Sequence, residues 1–237
     1  MFFASESSIA GRFFLLSNRE ERAVLEEVAQ RCVQYGLIHR LAAGTKLFRA
    51  RKQGGTPLRT PAELGPPPDE QAIWSNRMSP PGISLFYGAD DDATALEEMG
   101  AAGTYAVGAF EITRHIDVLD LTRVPPVPSF FDLTARASRG SLVFLAQFAR
   151  EISRPIARDD RIHLEYIPTQ VMTEYFRREF GGAHLLGIRY ASSQRPGGIN
   201  SALFAGATSI VDGHPGYCPE QEGRWLRLSG VSEQRHP

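Results

Sequence analysis

Residues 81–103 read PGISLFYGADDDATALEEMGAAG. A short apolar run closes on Tyr87 and Gly88, three aspartates follow, and a small helix carries two adjacent glutamates. The run has the length of a strand, and negative charge at a helix start complements exposed backbone amides. The stretch therefore reads as strand, turn and helix in immediate succession, with an aromatic at the strand end and carboxylates on the helix that returns. The side chains of three consecutive aspartates diverge and lack the alternation of a calcium loop. Asp90, Asp91 and Asp92 accordingly read as helix capping, and no metal is expected.

Helix geometry separates the two glutamates. At about 100° per residue, Ala95, Leu96 and Met99 fall on one side, which reads as the buried face. Glu98 then lies roughly 105° from the centre of that stripe and Glu97 roughly 155° away. Glu98 is expected half-buried and aimed at a pocket, and Glu97 solvated.

Working outward, Ser17-Asn18-Arg19-Glu20 has the form of a capping box, opening a helix through ERAVLEEVAQRCVQ that stops near Gly36. TKLFRAR is a compact strand, and KQGGTPLRTPAELGPPPDEQ is too rich in Pro and Gly for a regular element. TYAVGAFEI and HIDVLDL read as strands, and VPPVPS ends the second. GSLVFLAQFAREIS sets Leu142, Leu145, Phe148, Ala149 and Ile152 at helical spacing, and Arg154-Pro155 stops it. IPTQVMTEYFRREFGG has proline in its first turn, glycines at its end and an apolar face of Val171, Met172, Tyr175 and Phe176. GIRYASS and INSALF are strands; the tail from about Ala205 reads as irregular and peripheral. Several successive strands lack an intervening helix. That favours an α+β fold with a mixed or antiparallel sheet over a doubly wound parallel one.

Bulk properties exclude several classes. A net charge of −1 gives no basic field, so a phosphate-backbone grip on nucleic acid is not expected. Two cysteines, Cys32 and Cys218, lie far apart without metal-type spacing and suit a reducing cytoplasm. The opening MFFASESSIAGRFFLL is broken by Glu6 and Arg12, so neither signal peptide nor membrane span is expected. The expectation is a soluble cytoplasmic protein.

Polar residues near strands supply the remaining site candidates. Arg49 and Arg51 share one side of an extended strand, and Arg77 precedes the turn before the Tyr87 strand. Ser192 and Ser193 fall where a strand meets a Gly-rich turn. No GxSxG elbow, Walker loop or GxGxxG occurs, and His39, His115, His163, His184, His214 and His236 are scattered without HExxH pairing.

Taken in order, FRAR, NRMSPPGISLFYGADDDATALEE, LEYIPTQVMTEYF and GIRYASSQRPGGIN with ALF resemble the RES domain family over about residues 44–206. The resemblance divides one globular unit into a helical extension at 1–43, the RES-like domain at 44–206 and a peripheral tail at 207–237. It implies an ADP-ribosyltransferase-like split mixed or antiparallel sheet with helices around a nucleotide cleft. The family's arginine falls on Arg49, its tyrosine on Tyr87, its glutamate on Glu98 and its serine on Ser192; Arg51 and Ser193 stay open as the adjacent alternatives. The implied substrate is NAD+, held by Arg49, Arg77, Tyr87, Ser192 and Asn200. The implied activity is cleavage of the nicotinamide–ribose bond by phosphorolysis or hydrolysis, with inorganic phosphate as co-substrate in the first case. Family members include toxins that deplete NAD+ and are neutralised by an antitoxin. A protein ADP-ribosyltransferase using the same site, or a catalytically silent interaction module, are the alternative readings.

The residue types suit that chemistry. Nicotinamide leaves neutral from a ribosyl cation-like transition state, which a nearby carboxylate stabilises, and Glu98 would supply it. Tyr87 would stack on the nicotinamide ring, and a guanidinium suits the pyrophosphate.

Overall fold

The computed structural model describes residues 19–134, 136–154, 166–178, 180, 184–211 and 223–237. Ser17, Asn18, Pro155, His163, Leu164, Glu165, Gly181, Gly182, His214 and Cys218 lie outside that set, so the expectations placed on them are not addressed.

Helix α1 (Arg19–Gln34) ends as its glycine demands. Gly36 takes φ +64°, its N–H bonds the Val33 carbonyl (3.0 Å), and the Leu37 N–H bonds that of Cys32 (2.9 Å). This is the double closure of a helix terminated by a left-handed residue. Strands β1 (Ile38–Leu41) and β2 (Lys46–Lys52) follow. The Pro/Gly-rich segment after them is less irregular than its composition suggests. Thr60 and Glu63 complete a reciprocal capping box for a short helix, α2 (Pro61–Leu64), which drives Leu64 into the core. A 3₁₀ turn (Asp69–Gln71) lies beyond it.

β3 (Phe86–Ala89) leads into α3 (Asp92–Glu97), then β4 (Gly103–Ile112) and β5 (Ile116–Asp120). α4 (Arg136–Ile152) buries Leu142, Leu145, Phe148 and Ile152, four of the five residues expected, with Ala149 half-buried. α5 (Ile167–Arg178) buries Met172, Tyr175 and Phe176. It also buries Glu174, whose carboxylate is held by Arg177 (3.4 Å) and Arg178 (2.9 Å). β6 (Leu185–Ala191) and β7 (Ile199–Leu203) are the two strands expected there, and they pair antiparallel with each other.

The tail differs from its expectation. β8 (Ile210–Val211) and the eleven-residue β9 (Leu226–His236) belong to the sheet, and β9 pairs with β4 from Gly103–His236 to Ile112–Leu226. Backbone pairing holds it, so the weak apolar pattern of LRLSGVSEQRH did not betray a strand.

The fold is α+β, with a nine-stranded sheet in the order β1-β5-β6-β7-β3-β2-β4-β9-β8. β5–β6 and β8–β9 are parallel and the other neighbours antiparallel, so the sheet is mixed as expected. α1, α4 and α5 pack on one face with Leu119, Leu185, Ile188 and Ala202. A second cluster, around Leu47, Leu64, Phe86, Phe110, Leu203 and Trp225, fills the other face. The sheet nearly parts at its centre: β2 shares seven residue pairs with β4 but only Phe48–Ala89 with β3. No helix among the described residues is long and apolar enough to cross a membrane.

Candidate active site

A cleft of about 1010 Å³ opens where β2 and β3 part, lined by Arg49, Arg51, Arg77, Tyr87, Glu98 and Asn200. Arg49 and Arg51 come from β2, Arg77 from the loop before β3, Tyr87 from β3, Glu98 from the end of α3 and Asn200 from β7, so the site exists only in the folded sheet.

Glu98 caps the C-terminal end of α3 in helical backbone geometry. Its Oε1 accepts from Ser192 Oγ (2.5 Å) and Asn200 Nδ2 (2.7 Å). No other hydrogen bond reaches the carboxylate from the described residues, which leaves Oε2 for the cleft. The wheel picked this residue on a premise that the structure corrects. The helix buries Thr94 (0% exposed) and Ala95, not Met99, which lies beyond its end and is 37% exposed. Residues 91, 94, 95 and 98 therefore form the inner face, and Glu98 sits on that face. It is exposed rather than half-buried, because it looks into an open cleft instead of the core. Glu97 points outward, as expected, with its Oε2 3.5 Å from His236 Nε2.

The three aspartates take three separate partners. Asp91 is the N-cap, accepting from the Thr94 N–H (2.8 Å) and pairing with Arg195 (2.9 Å). Asp90 pairs with Arg189, and Asp92 accepts from Gln234 Nε2 (2.8 Å). Among the described residues no group of three or more His, Cys, Asp or Glu side chains is gathered as a metal site would require.

Tyr87 is half-buried in the cleft wall, and desolvation pushes its pKa up to about 12. Its hydroxyl meets Ser79 Oγ at 3.1 Å. The loop holding Ser79 and Arg77 is clamped by α5: Thr169 Oγ1 donates to the Arg77 carbonyl (2.5 Å), and Gln170 Nε2 donates to Ser75 Oγ (2.9 Å) and the Asn76 carbonyl (2.7 Å). This gives the YIPTQ segment a physical role, since its buried Thr and Gln set the roof of the cleft. Arg77 itself lies over the Tyr166 ring, 4.9 Å from its centroid.

Arg49 and Arg51 separate cleanly. Arg51 Nη2 donates to the Gly65 carbonyl (2.8 Å), tying β2 to the end of α2. Arg49 lies over the Phe86 ring (5.7 Å), and its buried Nη1 has no hydrogen-bond partner among the described residues. Burial, with the Arg51 charge adding, pushes its pKa down to about 9. A guanidinium enclosed without its full set of acceptors is costly, and an anion entering the cleft would satisfy it.

Ser192 and Ser193 differ as well: Ser192 is bonded to Glu98, whereas Ser193 lines the cleft, is exposed and accepts from Gln194 Nε2 (3.3 Å). One residue escaped the sequence reading. Tyr190 stands opposite Asn200 in the β6–β7 ladder. Burial raises its pKa, and the nearby Tyr87 and Glu98 raise it further. An aromatic inside GIRYA reads as core, and only the ladder register shows that it borders the carboxylate.

No characterised protein and no solved structure matches the chain at significance. The RES domain does, over residues 46–220, a stretch that takes in every candidate above from Arg49 to Asn200. With well over half of its length matched, the chain belongs to the RES domain family.

Proposed function

We propose that the protein cleaves NAD+ at the nicotinamide–ribose bond and passes the ADP-ribosyl group to water or inorganic phosphate. Family membership is consistent with NAD+-related, toxin-like activity. The observation that carries the reading is the Glu98 carboxylate, fixed through Oε1 by Ser192 and Asn200 and facing the cavity that holds the unsatisfied Arg49 guanidinium. In this reading Arg49 holds the pyrophosphate and Tyr87 packs on the nicotinamide ring. Glu98 accepts a ribose hydroxyl and stabilises positive charge at the anomeric carbon. The C–N bond breaks with its electron pair going to the nicotinamide nitrogen, and an oxygen of water or phosphate forms the new bond to that carbon. Water delivers one proton to solvent; phosphate yields ADP-ribose 1″-phosphate. The toxic effect would be loss of NAD+, and a partner protein seated over the cleft would suppress it.

The test is incubation with NAD+, with and without phosphate, and separation of products by mass. Nicotinamide with ADP-ribose marks hydrolysis, and a phosphate-dependent ADP-ribose 1″-phosphate peak marks phosphorolysis. Intact NAD+ under both conditions would sink the proposal.

A further inference from the structure

Glu98 sits at the end of a helix of six residues, too short to hold its own direction. Its orientation has to come from outside. Ser192 supplies part of it, because its hydroxyl oxygen accepts from the Arg195 N–H (3.0 Å) and the Gln194 N–H (3.2 Å). A hydroxyl has two acceptor positions and one proton. With both acceptor positions taken by the backbone, the proton is directed to Glu98 Oε1.

The turn carrying Ser192 is closed by the Ser192 N–H on the Gly198 carbonyl (2.9 Å) and the Gly198 N–H on that of Arg195 (3.0 Å). It lies directly against α3, and a Cβ on Gly198 would come within 2.8 Å of Thr94 Cγ2 and Oγ1. One side chain locks the two together: Arg195 Nη1 reaches Asp91 Oδ1 (2.9 Å), Asp91 Oδ2 (3.0 Å) and Thr94 Oγ1 (2.9 Å). Arg195 thus acts at both ends of the arrangement. Its backbone N–H orients the Ser192 hydroxyl, and its guanidinium grips the N-cap of the helix whose last turn presents Glu98.

We infer that Arg195 is a positioning residue, a latch between the β6–β7 turn and α3 that sets the direction of the Glu98 carboxylate. The inference rests on the NAD+-cleaving reading for its catalytic consequence, but not for its structural one. The Arg195 and Asp91 side chains are 42% and 43% exposed, and an ion pair so open to water contributes little to global stability. The latch therefore acts on geometry, not on folding.

The test takes Arg195→Ala and Arg195→Lys through three measurements. In Arg195→Ala, kcat for NAD+ falls about tenfold with KM within about twofold, because a reacting group is misdirected while binding contacts remain. In Arg195→Lys most of the rate returns, since all three contacts come from a single nitrogen that an ammonium can replace. Independently of activity, amide exchange in Arg195→Ala speeds by about tenfold at residues 94–98, 192 and 198 and stays unchanged along β4. Unaltered exchange in those segments overturns the latch whether or not NAD+ is cleaved. Wild-type-like kcat in an enzyme that turns over NAD+ overturns it too, and an equal drop in Arg195→Lys removes the pairing argument. Intact NAD+ with wild-type protein would overturn the function reading alone.

Discussion

Replacing Glu98 and then Glu97 by glutamine gives a controlled contrast on one helix. Glu98→Gln keeps the side-chain shape and an Oε1 able to accept from Ser192 and Asn200, so the local hydrogen bonds persist. What it removes is the negative charge and the second carboxylate oxygen facing the cleft. Losing one preorganised electrostatic contact at a charge-developing centre costs about 10²–10³ in kcat, or roughly 3–4 kcal/mol. Two charge-assisted hydrogen bonds become neutral ones, worth about 1 kcal/mol of stability, so the melting temperature should fall by only a few degrees, about 2–4 °C. Glu97 is 52% exposed, and its nearest partner is His236 at 3.5 Å. Glu97→Gln should change kcat by less than about twofold and stability by about 0.5 kcal/mol or less. The assay is the initial rate of nicotinamide release at saturating NAD+, with thermal melts as the folding control. Equal losses in the two variants, a larger loss at Glu97, or retention of most activity in Glu98→Gln would refute the site.

Other perturbations follow from the same geometry. Arg49→Met should raise KM by about 30-fold through loss of roughly 2 kcal/mol of charge-assisted binding, yet raise the melting temperature of the ligand-free protein by removing a cation whose buried Nη1 is unsatisfied; a lower melting temperature would mean that the guanidinium is satisfied. Tyr87 keeps its proton in the fold up to about pH 12, whereas an exposed tyrosine ionises near pH 10. The unfolded chain therefore binds fewer protons between those values, and stability present below pH 10 is lost as pH rises through that window. Alkaline melts should show wild type losing stability relative to Tyr87→Phe between about pH 10 and about pH 12, a comparison in which the opposing contribution of Arg49 and the parallel one of Tyr190 cancel; a difference that does not change with pH would remove the burial argument. Deleting residues 229–237 strips most of β9 from β4 and should lower the melting temperature by more than about 10 °C or prevent folding, whereas a peripheral tail would leave the melt unchanged.

What could be read in the chain was whatever local pattern alone decides. α4 and α5 follow from apolar spacing, and the end of α1 follows from Gly36. Glu98 was reached through a wheel that counted Met99 as buried, which fails because α3 ends at Glu97 and a residue past the last turn no longer obeys helical periodicity. Position 98 survived the error because it lies three and four residues beyond Ala95 and Thr94, the pair that is buried. β9 was invisible for a different reason. Only Leu226 of its eleven residues is buried, and the strand is held by main-chain bonds that composition does not record. The contacts that distinguish Arg49 from Arg51, and Ser192 from Ser193, are with Gly65 and Glu98, partners 14 and 94 positions away that no local pattern records.

The site and the near-break in the sheet are one feature. Strand pairs hold their backbones about 5 Å apart, too close for a ligand between them. Beyond Phe48–Ala89, β2 and β3 share no further pair, and that gap leaves room for the cleft of about 1010 Å³ in the middle of a continuous sheet. Gly88 keeps the junction tight, since a Cβ there would lie 2.7 Å from the Phe86 ring and 3.2 Å from the Phe48 carbonyl. The Phe86 ring, packed edge-on against Phe110 at 4.9 Å, is the surface on which Arg49 rests. Across the gap, Tyr87 projects from the opposite face of β3 toward Tyr190 and the carboxylate. An arginine from one face of the sheet and a tyrosine from the other can line the same cavity only where the sheet parts, so the cavity is located by the failure of two strands to keep pairing.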